Sequence, residues 1–474
     1  MSKYQEVLSD IFSHVDYSRT RQIPYNASTY NLERMRDLCV RLGNPQDCYP
    51  SVHIAGSKGK GSTAAMTASV LQSAGYRTGL YTSPHLHTFR ERMRIDGQLI
   101  SQERLIALWE QLRPHAKALN ETTTFEIITA LAFMDFAEAD VDWAVLEVGL
   151  GGRLDATNVV QSQACAITSL SHEHTDLLGH TLSLIAFEKA GIIKSGAPVV
   201  VGPQVPEAMA VIEDVANEIG ARLWRVDEDW RYDILQSTDQ GLILDIDGPD
   251  VHFDDLHIPL IGDHQAANAT VAVAIIHALR NSDVFISEDV IRQGLAKTYW
   301  PGRLERLSRD PLVILDSAHN HQSAERLQKA LELFPHRRLI LLFGASADKD
   351  IEGMLDVLAR DADVIIVTRS FHPRAADAER LAQMAQTITP NTPVHITDDA
   401  LPALQLADSL AQPDDLILIT GSIFVVAAAR ESWLTLHPET FSPDDWVYRS
   451  EPIDGEFTPM LEHPEQKTRL RRSP

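Results

Sequence analysis

Glycine and lysine crowd together in Gly56-Ser57-Lys58-Gly59-Lys60-Gly61-Ser62-Thr63, between the β-branched run Val52–Ala55 and an alanine-rich stretch. Such a segment suits phosphate. Glycines let backbone N–H groups converge on an anion, Lys60 can neutralise its charge, and a helix N-terminus behind the loop adds positive potential. Ser62 or Thr63 offers a hydroxyl to Mg²⁺. The spacing departs from G-x-x-x-x-G-K-[ST], because Gly59-Lys60 follows Gly56 after only two residues and Gly61 intervenes before Ser62. A flexible glycine turn is the plain alternative, but it leaves the company of Lys60 and Ser62 unexplained.

Two further clusters carry chemistry. Glu147 closes the apolar run Val145-Leu146-Glu147-Val148 just before Gly149-Leu150-Gly151-Gly152-Arg153-Leu154-Asp155. A carboxylate at the carboxyl end of a buried strand lies where open α/β sheets present ligand groups, and it needs a bound cation or a buried ion pair as partner. The segment Ser171-His172-Glu173-His174-Thr175-Asp176 follows another apolar run and leads to Glu188-Lys189-Ala190-Gly191. His-x-His alone suggests zinc, but no cysteine lies nearby, and next to a phosphate loop Mg²⁺ with oxygen ligands fits better.

The elements that must position these residues alternate between short apolar strands and longer helical stretches, the pattern of an α/β protein with a mainly parallel sheet. In the first half the composition predicts strands over Val52–Ala55, Thr78–Tyr81, Trp143–Val148, Ala164–Ser169 and Pro198–Val201, and a helix over Thr63–Ala74 stopped by Gly75. A small β excursion over Gly241–Val251 interrupts the pattern. A second, smaller α/β series is predicted from Leu312–Asp316, Arg338–Phe343, Val364–Thr368, Val394–Thr397 and Leu416–Thr420. The Pro-Gly turn within Lys297–Arg303 marks the linker. The expected organisation is a first domain over 1–298 with an N-terminal helical segment, a second over 299–433, and a loosely ordered tail over 434–474.

Composition narrows the partners. A net charge of −24 opposes nucleic acid and anionic membranes, so any anionic substrate must be held by local cations. No apolar run approaches the roughly 20 residues of a membrane-spanning helix, and the opening Met1–Glu6 lacks the order of a signal peptide, which leads us to expect a cytoplasmic protein. Cys39, Cys48 and Cys165 show neither metal nor redox spacing and are expected to be packing residues.

In one order the chain carries Gly56–Thr63, Tyr81-Thr82-Ser83-Pro84-His85-Leu86, Glu91-Arg92-Met93-Arg94, the Glu147–Asn158 block, His174-Thr175-Asp176 and Glu188–Ile192. Gly262-Asp263-His264-Gln265 with Asn268, Pro301-Gly302-Arg303, Leu315–Asn320, Asp348-Lys349-Asp350 and Thr420-Gly421-Ser422 follow. From about Leu32 to Arg430 this series resembles the folylpolyglutamate synthase and dihydrofolate synthase family, a branch of the Mur-type ligases. One glycine loop would be weak evidence; so many motifs in order are specific.

The resemblance implies a P-loop-containing, Mur-ligase-like central domain and a Rossmann-like C-terminal domain, with ATP-dependent ligation of L-glutamate to a folate or dihydropteroate carboxylate through an acyl phosphate. It implies ATP and Mg²⁺, two ions, as cofactors and a monomer. Gly59, Lys60, Gly61 and Ser62 would wrap the ATP phosphates, Gln265 and Asn268 the adenine side, and Arg303 and Asp316 would reach the nucleotide from the second domain. His319 is either a nucleotide contact or a structural loop residue. Ser62, Ser83, Glu147, His174 and Lys189 would hold metal, with Lys189 carbamylated into an anionic oxygen ligand. Lys60, Lys189, His174 and Glu147 form the implied catalytic set. For the pterin acceptor the matching loop is Ser83–Arg94, including His85 and Arg92, with Arg153, Leu154 and Asp155 further on. Phe125 either faces that ligand or belongs to the core.

Ser57-Lys58, Glu173 and His321 stand where this family more often has Thr-Asn, Asp and Pro. None of these changes removes a phosphate or metal group. The competing readings are another Mur-type ligase acting on a cell-wall nucleotide precursor, a nucleotide-binding module that does not ligate, and, more distantly, a zinc hydrolase built on His172 and His174.

Overall fold

All five residues of the strand Ser51–Ala55 are buried, Val52 and Ile54 on one face and Ser51, His53 and Ala55 on the other, as befits a strand inside a sheet covered on both sides. The computed structural model describes residues 2–15, 30–119, 121–282, 284–370, 372–442 and 445–449. The chain divides into two compact units, Met1–His85 with Phe89–Trp300, and Leu86–Thr88 with Pro301–Pro474.

The first unit is built on an eight-stranded sheet. Its order runs Gln98–Leu99, Met93–Ile95, Thr78–Tyr81, Trp143–Glu147, Ser51–Ala55, Ala164–Ile167, Val199–Val201, Leu223–Arg225. The first two form an antiparallel edge and the other six are parallel. Ile54 pairs with Glu147 on one side and Ala166 on the other, so the loops after these three strands leave the sheet side by side. Those are the loops that carry the candidate residues.

The helix behind the glycine loop spans Lys60–Ser73, three residues earlier than the composition predicts, because Gly59 at φ 88° turns the chain without a Ser or Asp cap. Gly75, at φ 87°, closes it as expected. This helix packs against His264–Ala278, which is apolar nearly all round and accordingly buried, and against Glu288–Ala296. The β excursion is larger than Gly241–Val251: it is an antiparallel three-stranded sheet over Arg231–Thr238, Gly241–Gly248 and Val251–Ile258, whose Leu244, Ile246, Phe253 and Ile258 join the same core. On the other face, Thr124–Glu138, Gln102–Ala118 and the N-terminal helix Lys3–Phe12 enclose a second core.

The second unit has a six-stranded sheet in the order Glu305–Arg309, Leu312–Leu315, Leu416–Thr420, Leu339–Phe343, Val364–Val367, Val394–Ile396, parallel except for its first strand. The expectation of loose order beyond Trp433 fails for its first part. The helix Ile423–Leu436 runs past that residue, and Phe441, Asp445, Trp446 and Val447 are buried where apolar surface remains to be covered. The basic stretch Lys467–Arg472 lies outside the described residues. Of the cysteines expected to pack, Cys39 and Cys165 are buried but Cys48 is exposed. Among the described residues no helix is long and apolar enough to cross a membrane.

Candidate active site

The first N–H groups of the helix Lys60–Ser73 have no intrahelical partner, as in any helix, and here no side chain caps them, which leaves them to the glycine loop. The glycines are sterically required. A Cβ on Gly59 would lie 2.2 Å from the Asn268 side-chain oxygen, and one on Gly61 2.6 Å from the Trp300 ring. Asn268 in turn donates to Gln265 Oε1 at 2.9 Å, and both side chains are buried. Asn268, one of the two residues assigned to adenine by resemblance, therefore stands against the loop assigned to phosphate, with Gln265 hydrogen-bonded to it.

Two ammonium groups converge on one backbone oxygen. Lys60 Nζ donates to the Gly56 carbonyl at 3.0 Å and Lys189 Nζ to the same carbonyl at 2.7 Å. Lys189 is only 4% exposed, and among the described residues no carboxylate pairs with it. Burial, reinforced by the Lys60 ammonium, lowers its pKa to about 7. Two cations sharing a neutral acceptor leave positive potential unspent at the mouth of the helix.

Carboxylate and hydroxyl donors gather at the neighbouring strand ends. Glu147, 5% exposed, accepts a hydrogen bond from Ser83 N at 3.0 Å, which joins two of the expected metal-holding residues. The His174 loop is tied to the cradle through its neighbours: Ser57 Oγ donates to Ser171 O at 3.1 Å, Ser57 N and Lys58 N both donate to Ser169 O, and Lys58 Nζ lies 3.5 Å from Glu173 Oε1. His174 itself is exposed and left-handed at φ 52°. His172 is exposed too, and among the described residues no three His, Cys, Asp or Glu side chains form a metal-holding group, which leaves the zinc reading without geometry. Ser62, Ser83 and Glu147 are oxygen donors, and a hard cation of the Mg²⁺ type fits that donor set.

The acceptor candidates separate into those aimed at the loop and those already engaged. Arg92 Nε donates to His85 Nδ1 at 2.9 Å, and the Arg94 guanidinium lies 5.0 Å over the Trp300 ring that also walls Gly61. Half-buried Phe125 packs on the Gly149 backbone and tilts toward Tyr81, 6.3 Å between centroids. Both Asp155 oxygens are taken, one by the N–H groups of Gly149 and Leu150, the other by Thr157. Burial raises its pKa against those donors. Arg153 forms a two-point ion pair with Glu188 at 3.1 and 2.8 Å, and half-buried Leu154 lies between them in sequence.

In the second unit, Asp316 follows the strand Leu312–Leu315 and accepts from Leu304 N at 3.0 Å and Ala318 N at 2.8 Å. Arg303 Nη1 donates to Gly302 O, and His319 Nδ1 meets Ser317 O at 3.0 Å. Sequence reasoning passed over Thr168, whose side chain abuts Gly56, and Trp300, whose ring abuts Gly61. Thr368 carries no expected role and Thr420 only a place in the Thr420-Gly421-Ser422 motif; both are buried at the carboxyl ends of parallel strands with no hydrogen-bond partner for their hydroxyls among the described residues. A polar residue just past each apolar run was the signal available.

Residues 54–276 match the Mur ligase middle domain and 302–423 the Mur ligase, glutamate ligase domain. A Bacillus subtilis dihydrofolate synthase/folylpolyglutamate synthase is 36% identical over 84% of this chain and 94% of its own length. The chain belongs to the folylpolyglutamate synthase/dihydrofolate synthase family of Mur ligases. Within that family, E. coli FolC in complex with DHPP and ADP superposes with a TM-score of 0.80 at 34% identity, covering 91% of this chain and 97% of that one. A Yersinia pestis bifunctional folylpolyglutamate synthase/dihydrofolate synthase complexed with AMPPNP and Mn ion gives 0.79 at 33% identity, covering 91% and 98%.

Proposed function

We propose that this chain joins L-glutamate to the carboxylate of a folate-type acceptor, a reduced folate or dihydropteroate, in a reaction driven by ATP. The observation that carries this reading is Lys60 held over Gly56 O in front of an uncapped helix N-terminus, with Lys189 buried beside it. A carboxylate is a poor electrophile because oxide would have to leave. Transfer of the γ-phosphoryl of ATP to it makes an acyl phosphate, which the unprotonated α-amine of glutamate attacks with release of phosphate. Lys60 and the N–H groups of Gly59–Ser62 stabilise charge spreading over the transferring phosphoryl.

A divalent cation, when bound, neutralises phosphate charge, and Ser62, Ser83, Glu147, His174 and Lys189 are its proposed holders. Lys189 fits the role only with its charge inverted, and carbamylation would do that; a buried lysine without a carboxylate partner supports it. Intact-mass measurement showing the added CO₂, lost on acid treatment, tests the modification. Gln265 and Asn268 are assigned to the adenine side, and Arg303, Asp316 and His319 to nucleotide contacts. His85, Arg92, Phe125, Arg153, Leu154 and Asp155 are assigned to the pterin acceptor, with Asp155 bracing the turn that presents its neighbours.

The test is to offer purified protein ATP, Mg²⁺ and labelled glutamate with dihydropteroate, tetrahydrofolate or a UDP-sugar peptide in separate reactions. ADP release and a glutamyl adduct with a pterin acceptor are expected. Glutamate-independent ATP hydrolysis, or turnover only of the UDP-sugar peptide, would overturn the assignment.

A further inference from the structure

Arg430 is fully buried in the second unit, and every edge of its guanidinium is engaged. Nε donates to both Glu305 oxygens at 2.9 and 3.0 Å, Nη1 and Nη2 donate to the two Asp445 oxygens at 2.9 and 2.8 Å, and Nη1 also donates to His87 Nε2 at 3.0 Å. Phe441 lies against the guanidinium, 4.6 Å from ring centre to Cζ. Arginine can only donate, so Nε2 of His87 is the acceptor, and its Nδ1 carries the proton and donates to Glu431 Oε1 at 2.9 Å. One cation thus fixes the position and the tautomer of a histidine distant in sequence.

The partners of Arg430 belong to three separate segments. His87 lies in Leu86–Thr88, the part of the loop Ser83–Arg94 that groups with the second unit. Glu305 accepts from Gly302 N at 2.8 Å and so holds the turn that carries Arg303. Asp445 comes from beyond the last helix, past residue 423 where the match to the family's glutamate ligase domain ends. We propose that Arg430 is a positioning residue for residues 86–88 of the Ser83–Arg94 loop, and that Asp445, contributed by the C-terminal segment, completes its setting. This rests on the reading of Ser83–Arg94 as the acceptor loop. Without Asp445 the guanidinium keeps Glu305 but loses the two-point contact that aims Nη1 at His87, and residues 86–88 are released.

The experiment compares wild type with Asp445→Asn, which keeps the size of the side chain but sets an amide donor against an arginine donor. The KM for the pterin acceptor should rise about tenfold, the worth of one charge-assisted hydrogen bond, while KM for ATP stays unchanged. Amide hydrogen exchange should quicken in peptides covering 86–88 and 302–305 and not in the Gly56–Ser62 peptide. His87→Gln, which can still accept from Arg430 and donate to Glu431, should keep more acceptor affinity than His87→Leu. Unchanged acceptor KM and exchange, or an equal loss toward both substrates with exchange raised throughout, would overturn the proposal. If wild type itself ligates no pterin, the assigned reaction fails, while the exchange comparison still decides whether Arg430 holds the loop.

Discussion

Lys189 in the first unit and Arg430 in the second are both cations taken out of water, and their surroundings are opposites. Arg430 has two carboxylates, a histidine and an aromatic face, so its charge is spent within the protein. Lys189 has one carbonyl oxygen, which it shares with Lys60. Burying a charge is costly unless it is paired, so the first arrangement serves the fold and the second is tolerable only if a ligand or a chemical change completes it. Buried charge is therefore a guide to function when it is left uncompensated.

The largest effect expected from this contrast is on turnover. Lys60→Ala should keep the fold and lower ADP formation by at least about a hundredfold, as removal of one pre-placed cation or donor from a phosphoryl-transfer site does; Glu147→Ala should do likewise. Full turnover by either folded variant would show that the lysine and carboxylate are structural, like Arg430.

Stability should invert the ranking. Arg430→Met strands Glu305 and Asp445 and should cost about 3–5 kcal/mol in denaturant unfolding. Lys189→Met removes a poorly compensated charge and should be neutral or stabilising. Equal losses for the two variants would break the comparison.

A third expectation concerns pH. The folded-state pKa of Lys189, about 7, lies below the ordinary lysine value of 10.5, so between these values the unfolded chain binds the extra proton and stability rises with pH. Relative to Lys189→Met, unmodified wild type should gain up to about 1.4 kcal/mol per pH unit between pH 7 and 9. Carbamylated protein should lack that slope, which makes urea titrations at several pH values a check on the modification. The smallest effect belongs to the Lys58–Glu173 pair at 3.5 Å. Lys58→Asn should change stability by less than about 1 kcal/mol, with a modest rise in the KM for ATP.

Most of the framework was legible because strands of a parallel sheet are buried on both faces and read as apolar runs. Thr78–Tyr81 and Leu416–Thr420 have the bounds their composition predicts. Others end one or two residues early: Trp143–Glu147, Ala164–Ile167, Leu312–Leu315, Val364–Val367 and Val394–Ile396. Among the residues left outside are Thr168, Asp316 and Thr368, whose N–H groups still donate to Ala55, Ile419 and Phe343 of the neighbouring strands at the carboxyl edges of the two sheets. Composition cannot register where the pairing stops, since nothing in the residue types distinguishes the last fully paired position from the one after it. The edge strand Arg231–Thr238, mostly exposed, offered no apolar run to read. The Arg430 cluster was illegible for another reason: His87, Glu305 and Asp445 meet only through tertiary packing, and each alone is an ordinary charged or polar residue.

Turnover with an acceptor whose carboxylate carries ¹⁸O tests most directly whether Lys60 and the loop around Gly56 serve phosphoryl transfer to an acceptor carboxylate. The released phosphate should gain one labelled oxygen from the acceptor; unlabelled phosphate alongside normal ligation would contradict transfer to the carboxylate.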